Sequence, residues 1–217
     1  MAKQFAVVGL GRFGTSVART LYEMGYDVLG IDSDDDIIQD IADLVTHAVT
    51  ADSTDENALK SIGIRNFDVV IVAIGNDVKN SILTTLILKE LGVQYIVVKA
   101  QDELHGKVLE KIGADKVVYP ERDMGYRVAH NLVSPNILDY IELAPDYSIY
   151  ELQAPSKFIG KSLEQLDLRR RYGVNVMAIK HGKDINISPI ATDLLHQGDV
   201  LVVVGKNEDL DELDENR

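Results

Sequence analysis

Four times within the first 120 residues, a glycine closes an amphipathic segment and a short β-branched apolar run follows. The stops are Gly25 before DVLGI, Gly63 before VVIVA, Gly92 before YIVVK and Gly113 before KVVY. Glycine takes the left-handed conformation that ends a helix, so each stop marks a helix end and each run a strand. FAVVGL at the start and THAVTA near residue 50 bring the strands to six. The runs are apolar almost without interruption, as strands covered by helices on both faces should be. Strands and helices alternating in this way build βαβ units, which predicts an α/β fold with a Rossmann-type doubly wound parallel sheet.

The rhythm stops near residue 120. Residues 121–132 (ERDMGYRVAHNL) predict a last helix, and Ile137 to Leu143 form a short apolar stretch. Ala144-Pro145-Asp146 reads as a turn, which places a nucleotide-binding domain at 1–143 and a smaller lobe at 144–217. The second part offers strands at SIYELQ, NVMAIK, INIS and VLVVVG, with the charged, helix-like LEQLDLRRRY after the first. It is too short for another Rossmann unit and predicts a small C-terminal α+β lobe.

Within this frame, Gly9-Leu10-Gly11-Arg12-Phe13-Gly14 matches G-x-G-x-x-G between the strand FAVV and the helical pattern VARTLYEM. Gly9 permits the tight turn, Gly11 lets backbone approach a phosphate, and Gly14 lets the helix pack closely on the strand. The helix N-terminus then presents free amides and partial positive charge to an anion. Asp32 ends the second strand 18 residues after Gly14. A carboxylate there accepts hydrogen bonds from ribose hydroxyls, although a helix-capping aspartate is the simpler alternative. Ser33, Asp34, Asp35 and Asp36 follow without an arginine, which disfavours a 2′-phosphate and hence NADP. Asp52-Ser53-Thr54 and Ile74-Gly75-Asn76-Asp77 follow the third and fourth strands. They either edge an adenine pocket or cap the next helix. Arg12 favours a ligand with extra phosphate charge, such as ADP or ATP.

Composition removes several functions. The chain has no cysteine, which excludes disulfides, thiolate nucleophiles and Cys-ligated zinc and fits a reducing cytosol. A net charge of −13 opposes the basic face that nucleic acid requires. Arg169-Arg170-Arg171 is the densest basic spot and most simply a solvated helix face; the acidic tail from Glu208 to Glu215 reads as a solvated, partly frayed end. No apolar run approaches the roughly 18 residues that span a bilayer, and no signal-peptide segment is present, so work at a membrane needs a partner. Catalysis finds no support. Tyr95 and Lys99 have a Tyr-x-x-x-Lys spacing, but within the strand YIVVK they stand about 13 Å apart. His47, His105, His130, His181 and His196 are dispersed without metal-ligand spacing, and His105 reads as a helix-surface residue. A regulator fits better than an enzyme. An NAD(H)-binding redox sensor or oxidoreductase is the alternative, because Asp32 serves either nucleotide.

The strings VVGLGRFG, GIRNFDVVIVAIG, LILKELGV, VKAQ and KVLEKIGADKVVYPERDMG carry a more specific likeness. Together with the C-terminal half-domain, they resemble the RCK family, regulators of potassium conductance. The likeness is to the cytosolic regulatory subunits of Ktr/Trk-type potassium uptake systems, and it covers essentially the whole chain. It implies a non-enzymatic protein whose Rossmann lobes form homodimers and then an octameric ring. The ring docks at the inner face of the membrane on a potassium-translocating subunit. ATP and ADP compete for the cleft, with ATP favouring the active form.

The same resemblance implies site roles. Gly9, Gly11 and Gly14 form the phosphate turn, Arg12 meets the terminal phosphates, and Asp32 holds the ribose. Asp52 and Ser53 flank the adenosine, while Phe13, Ser33, Ala73, Ile74 and Gly75 complete the nucleotide set. Lys99 points into the cleft. Glu121 lies near the γ-phosphate across the dimer interface, where Mg²⁺ or Na⁺ sits; a first-turn acid favoured by the helix dipole is its plainer reading. The C-terminal lobe resembles a second ligand-binding domain that in Gram-positive members binds cyclic di-AMP between two subunits. The matching positions are Asp167, Leu168, Arg169, Asn175, Ala178 and Pro189, with Arg169 pairing a phosphate.

Overall fold

Each of the six runs read as a strand in the first half forms one. In chain order the elements are β1 (Gln4–Val8), α1 (Arg12–Glu23), β2 (Asp27–Asp32), α2 (Asp35–Ile41), β3 (His47–Thr50) and α3 (Glu56–Ile62). They continue with β4 (Val69–Val72), α4 (Val78–Glu90), β5 (Ile96–Lys99), α5 (Glu103–Lys111), β6 (Lys116–Val118) and α6 (Pro120–Val133). The four glycine stops all have positive φ, with Gly63 capping α3 at 74°. The computed structural model describes residues 3–133 and 137–215, with the side chains of residues 130, 131, 133, 214 and 215 outside that description. The readings made of the His130, Asp214 and Glu215 side chains therefore fall outside that description.

The first compact unit is Met1–Arg122. Its six strands run parallel in the order β3-β2-β1-β4-β5-β6. Alternate side chains along each strand divide between two cores. Ala6, Val8, Leu29, Ile31, Val70 and Val72 pack with Leu59 of α3, Leu88 of α4 and Leu109 of α5. Val7, Val28 and Ile71 pack on the other side with Ala18 of α1 and Ile41 of α2. Burial on both faces is why these strands read as continuous apolar runs. The strand order reverses between β1 and β4, which opens a crevice beyond their carboxyl ends.

The second unit, Asp123–Arg217, contains β7 (Ile137–Ala144), β8 (Tyr147–Gln153), α7 (Leu163–Leu166), α8 (Leu168–Tyr172) and β9 (Asn175–His181). It ends with β10 (Asp184–Asn186), β11 (Val200–Lys206) and α9 (Asn207–Glu215). The strands form an antiparallel sheet in the order β10-β9-β11-β8-β7 over a core that includes Leu152, Phe158, Leu195, Leu201 and Val203. The turn read as a domain boundary joins β7 to β8, and Ala144 pairs with Tyr147 across it. The contact division falls at Arg122/Asp123: β7 pairs with β8, and Arg127 and Tyr126 of α6 meet Asp139 and Tyr140 of β7.

Three local expectations are corrected. LEQLDLRRRY is two helices, because Asp167 takes a left-handed φ of 46° between α7 and α8. The acidic tail is not a frayed end: it forms α9, with Leu210 and Leu213 fully buried and Asp211 accepting the Tyr150 hydroxyl at 3.0 Å. Burial, then the Asp211 carboxylate, pushes the Tyr150 phenol up. His105 is buried within α5, and its Nδ1 accepts the Gln101 amide at 3.3 Å. Burial lowers its pKa against the pull of Asp102, which favours the neutral ring.

Candidate functional site

Helices α1 to α5 each follow a strand, and four of them begin with a capping aspartate. Asp34 accepts the Asp36 amide, Asp55 the Asn57 amide, Asp77 the Asn80 amide and Asp102 the His105 amide, all at 2.8–2.9 Å. α1 is the exception. It starts at Gly11 with no side-chain cap and no acid in its first turn, where Arg12 adds a cation. Its first-turn amides and the positive end of its dipole therefore remain available to an anion.

The loop before α1 is held by hydrogen bonds to β2 and α1. Gly9, at a φ of 87°, donates its amide to the Ile31 carbonyl at 2.8 Å. The Leu10 amide donates to Asp32 Oδ2 at 2.6 Å, and the Thr15 hydroxyl donates to the Leu10 carbonyl at 2.6 Å. Asp32 Oδ1 accepts the Asp34 amide at 3.1 Å. Asp32 thus braces the glycine turn, a role that sequence spacing did not reveal. Its carboxylate sits at the end of β2, with Oδ2 tied to the glycine loop and Oδ1 to the start of α2.

A cavity of about 420 Å³ lies over the carboxyl ends of the strands, within the range of small-ligand pockets. Gly9, Gly11, Arg12 and Phe13 line it from the loop, and Asp32 and Ser33 from the end of β2. Asp52 and Ser53 approach from beyond β3, Ala73, Ile74 and Gly75 from beyond β4, and Lys99 and Glu121 complete the wall. Every nucleotide residue expected from the sequence is gathered here except Gly14, which lies beneath the loop against the Gly9 carbonyl and Ala73. Ile37 of α2 and Asn80 of α4 line it as well. Their only sequence signal was a place in the first turns of helices that follow sheet strands.

Lys99 Nζ meets Glu121 Oε1 at 2.5 Å and lies 5.8 Å from the Phe13 ring centre. The Lys99 hydrogen bond holds the Glu121 carboxyl below its ordinary value; burial opposes this, and the Lys99 and Arg12 charges add to it. Asp52 accepts both the hydroxyl and the amide of Thr54, at 2.7 and 2.8 Å, which lowers its pKa. Asp52 fixes a turn and Asp77 a helix start, and both also line the cleft.

The second unit has its own cavity, of about 620 Å³. Asp167, Leu168, Arg169, Asn175 and Pro189 line it, and Glu164 joins them. Ala178 does not. It is buried in β9 opposite Val202 of β11.

Residues 5–120 match the TrkA-N domain and residues 147–216 the TrkA-C domain. Over 210 residues the chain is 54% identical to "Ktr system potassium uptake protein C" of Bacillus subtilis, covering 97% of this chain and 95% of that protein. It is 50% identical to "Ktr system potassium uptake protein A" of the same organism over 208 residues, 96% and 94% of the two chains. Among solved structures, the GsuK RCK domain superposes with a TM-score of 0.68 at 17% identity, over 99% of this chain and 47% of that one, which shows a shared fold. Apart from Glu121 the cleft thus lies in a TrkA-N domain, the second cavity lies in a TrkA-C domain, and the chain belongs to the family of Ktr system potassium uptake proteins.

Proposed function

We propose that this chain is the cytosolic regulatory subunit of a potassium uptake system. ATP and ADP exchange in the first cavity sets the shape of an octameric ring of homodimers, and the ring gates a potassium-translocating membrane subunit. The observation that carries this reading is the uncapped α1 N-terminus, with Arg12 and Asp32 at the same cleft. Family membership supplies the potassium-uptake setting. No helix among the described residues is long and apolar enough to cross a membrane. In the proposed arrangement the ion path belongs to the partner, and this chain works peripherally at the inner face.

A nucleotide moves such an equilibrium only by binding one state better than the other. ATP's third phosphate supplies that difference, because it competes with Glu121 for Lys99 and faces Arg12. Released from Lys99, Glu121 offers one carboxylate across the dimer interface to a Mg²⁺ or Na⁺ ion. Mg²⁺ commonly combines one or two carboxylates with substrate phosphates and retained waters.

Calorimetric titration of nucleotide-free protein with ATP, ADP and NADH tests the reading. ATP and ADP are expected to bind tightly; tight NADH binding with no response to ATP would favour a redox sensor. Arg12→Ala is expected to weaken ATP by about 10- to 100-fold, the loss of one charge-assisted contact, and ADP by less. Equal losses for all three nucleotides would remove Arg12 from the terminal phosphate.

Cyclic di-AMP in the second cavity is part of the same proposal, bound at one molecule per two chains. Asp167 turns the chain so that Arg169 reaches the cavity that Asn175 and Pro189 also line. Arg169→Ala is expected to weaken cyclic di-AMP by about 10-fold or more without changing ATP affinity. Unchanged cyclic di-AMP affinity would leave Arg169 a solvated helix residue.

A further inference from the structure

The antiparallel register of β9 and β11 pairs Val200 with Lys180, which brings the next residues outward, Asp199 and His181, together. His181 Nδ1 lies 2.5 Å from Asp199 Oδ1. The turn entering β11 folds His196 back over the same carboxylate, with its Nδ1 3.7 Å from Asp199 Oδ2. The His196 amide donates to that oxygen at 2.8 Å and fixes the carboxylate's orientation. One donor atom from each of the three side chains lies within 4.8 Å of the other two.

We propose that His181, His196 and Asp199 form a binding site for a divalent transition cation of the Zn²⁺ class, separate from both ligand cavities described above. Two imidazoles and one carboxylate suit a borderline cation, whereas Mg²⁺ and Na⁺ prefer oxygen alone. Tetrahedral ligands at about 2.0–2.1 Å from Zn²⁺ stand roughly 3.3 Å apart, a spacing the surface imidazoles reach by small rotations. Asp199 is 1% exposed, whereas the side chains of His181 and His196 are 65% exposed. A buried carboxylate needs compensation that a cation supplies. The amide bond from His196 is the kind of outer contact that orients a metal-binding carboxylate. A fourth position opens onto a hollow of about 400 Å³ lined by Asp184, Asn186 and Asp193, which leaves room for water. Such an ion would join the end of β9 to the entry of β11 and so brace the centre of the small sheet.

The test uses tag-free, full-length protein stripped of nucleotide and divalent ions, titrated with Co²⁺ and then Zn²⁺. One Co²⁺ per chain with a tetrahedral absorption spectrum, displaced by Zn²⁺, is expected. The His181→Gln/His196→Gln double variant should lose about 100-fold or more in affinity. Glu121→Gln should keep the site, which separates it from any ion at the nucleotide cleft. Zn²⁺ should raise the melting temperature of the wild type but not of the double variant, whose wild-type circular dichroism and cooperative urea unfolding report that both units have folded. Undiminished Co²⁺ uptake by the double variant overturns the proposal, as does uptake abolished by Glu121→Gln.

Discussion

Gly14→Ala is expected to cost both the fold and the nucleotide. A Cβ at this position would overlap the Gly9 carbonyl oxygen, and it would lie 3.1 Å from the Ala73 Cβ. The obstacle is backbone, and it cannot swing away. Gly9 is pinned by its bond to the Ile31 carbonyl and by its positive φ. Either α1 lifts from the sheet or the glycine turn opens. Overpacking of this kind destabilises by about 1–3 kcal/mol. The same displacement removes the α1 amides and Arg12 from the phosphate position, so ATP and ADP affinity should fall more than about 10-fold. Gly11→Ala is the matched control. Gly11 has φ −65° and ψ −173°, open to any residue, and a Cβ there meets nothing within 4 Å. It should nearly keep wild-type stability yet obstruct the approach of a phosphate. Urea unfolding and calorimetry on both variants separate the two effects. A Gly14→Ala protein with wild-type midpoint and affinity would refute the packing described here.

The parallel sheet was legible because one physical rule covers it. A strand buried on both faces has no polar positions, so β1, β2, β4 and β5 stand out between glycine-stopped helices. The glycine loop was legible because backbone geometry demands Gly9, through its positive φ, and Gly14, through its contact with the Gly9 carbonyl. Features that depend on pairing between distant segments were not. His181 and Asp199 meet only because β9 and β11 pair in one register, and 18 residues separate them in the chain. The left-handed Asp167 broke a helix that its flanking residues would have continued. The tail was misread through its charge, although Leu210 and Leu213, three residues apart, carried an amphipathic signal. Asp32 shows the intermediate case. Spacing located it at the end of β2 but gave no sign of its bond to Leu10.

That bond gives Asp32→Ala two consequences that can be measured apart. Within the protein, removing the carboxylate leaves the part-buried Leu10 amide without its 2.6 Å acceptor. An unsatisfied buried donor costs about 1–3 kcal/mol, so the unfolding midpoint should drop. Within the complex, the ribose loses a charged acceptor that can serve two hydroxyls. At about 1.5–3 kcal/mol for each such bond, affinity should fall by about 100-fold or more. The loss should be similar for ATP, ADP and NADH, because the adenosine ribose is common to all three. This distinguishes Asp32 from Arg12, whose removal should discriminate by phosphate number. Asp32→Asn keeps one oxygen that can accept from Leu10, but it has no charge and presents an amide beside the Asp34 N–H. It should recover much of the stability and little of the affinity. If Asp32→Ala instead spared ADP while losing ATP, the carboxylate would be acting through the loop on the phosphates, and the ribose assignment would fail.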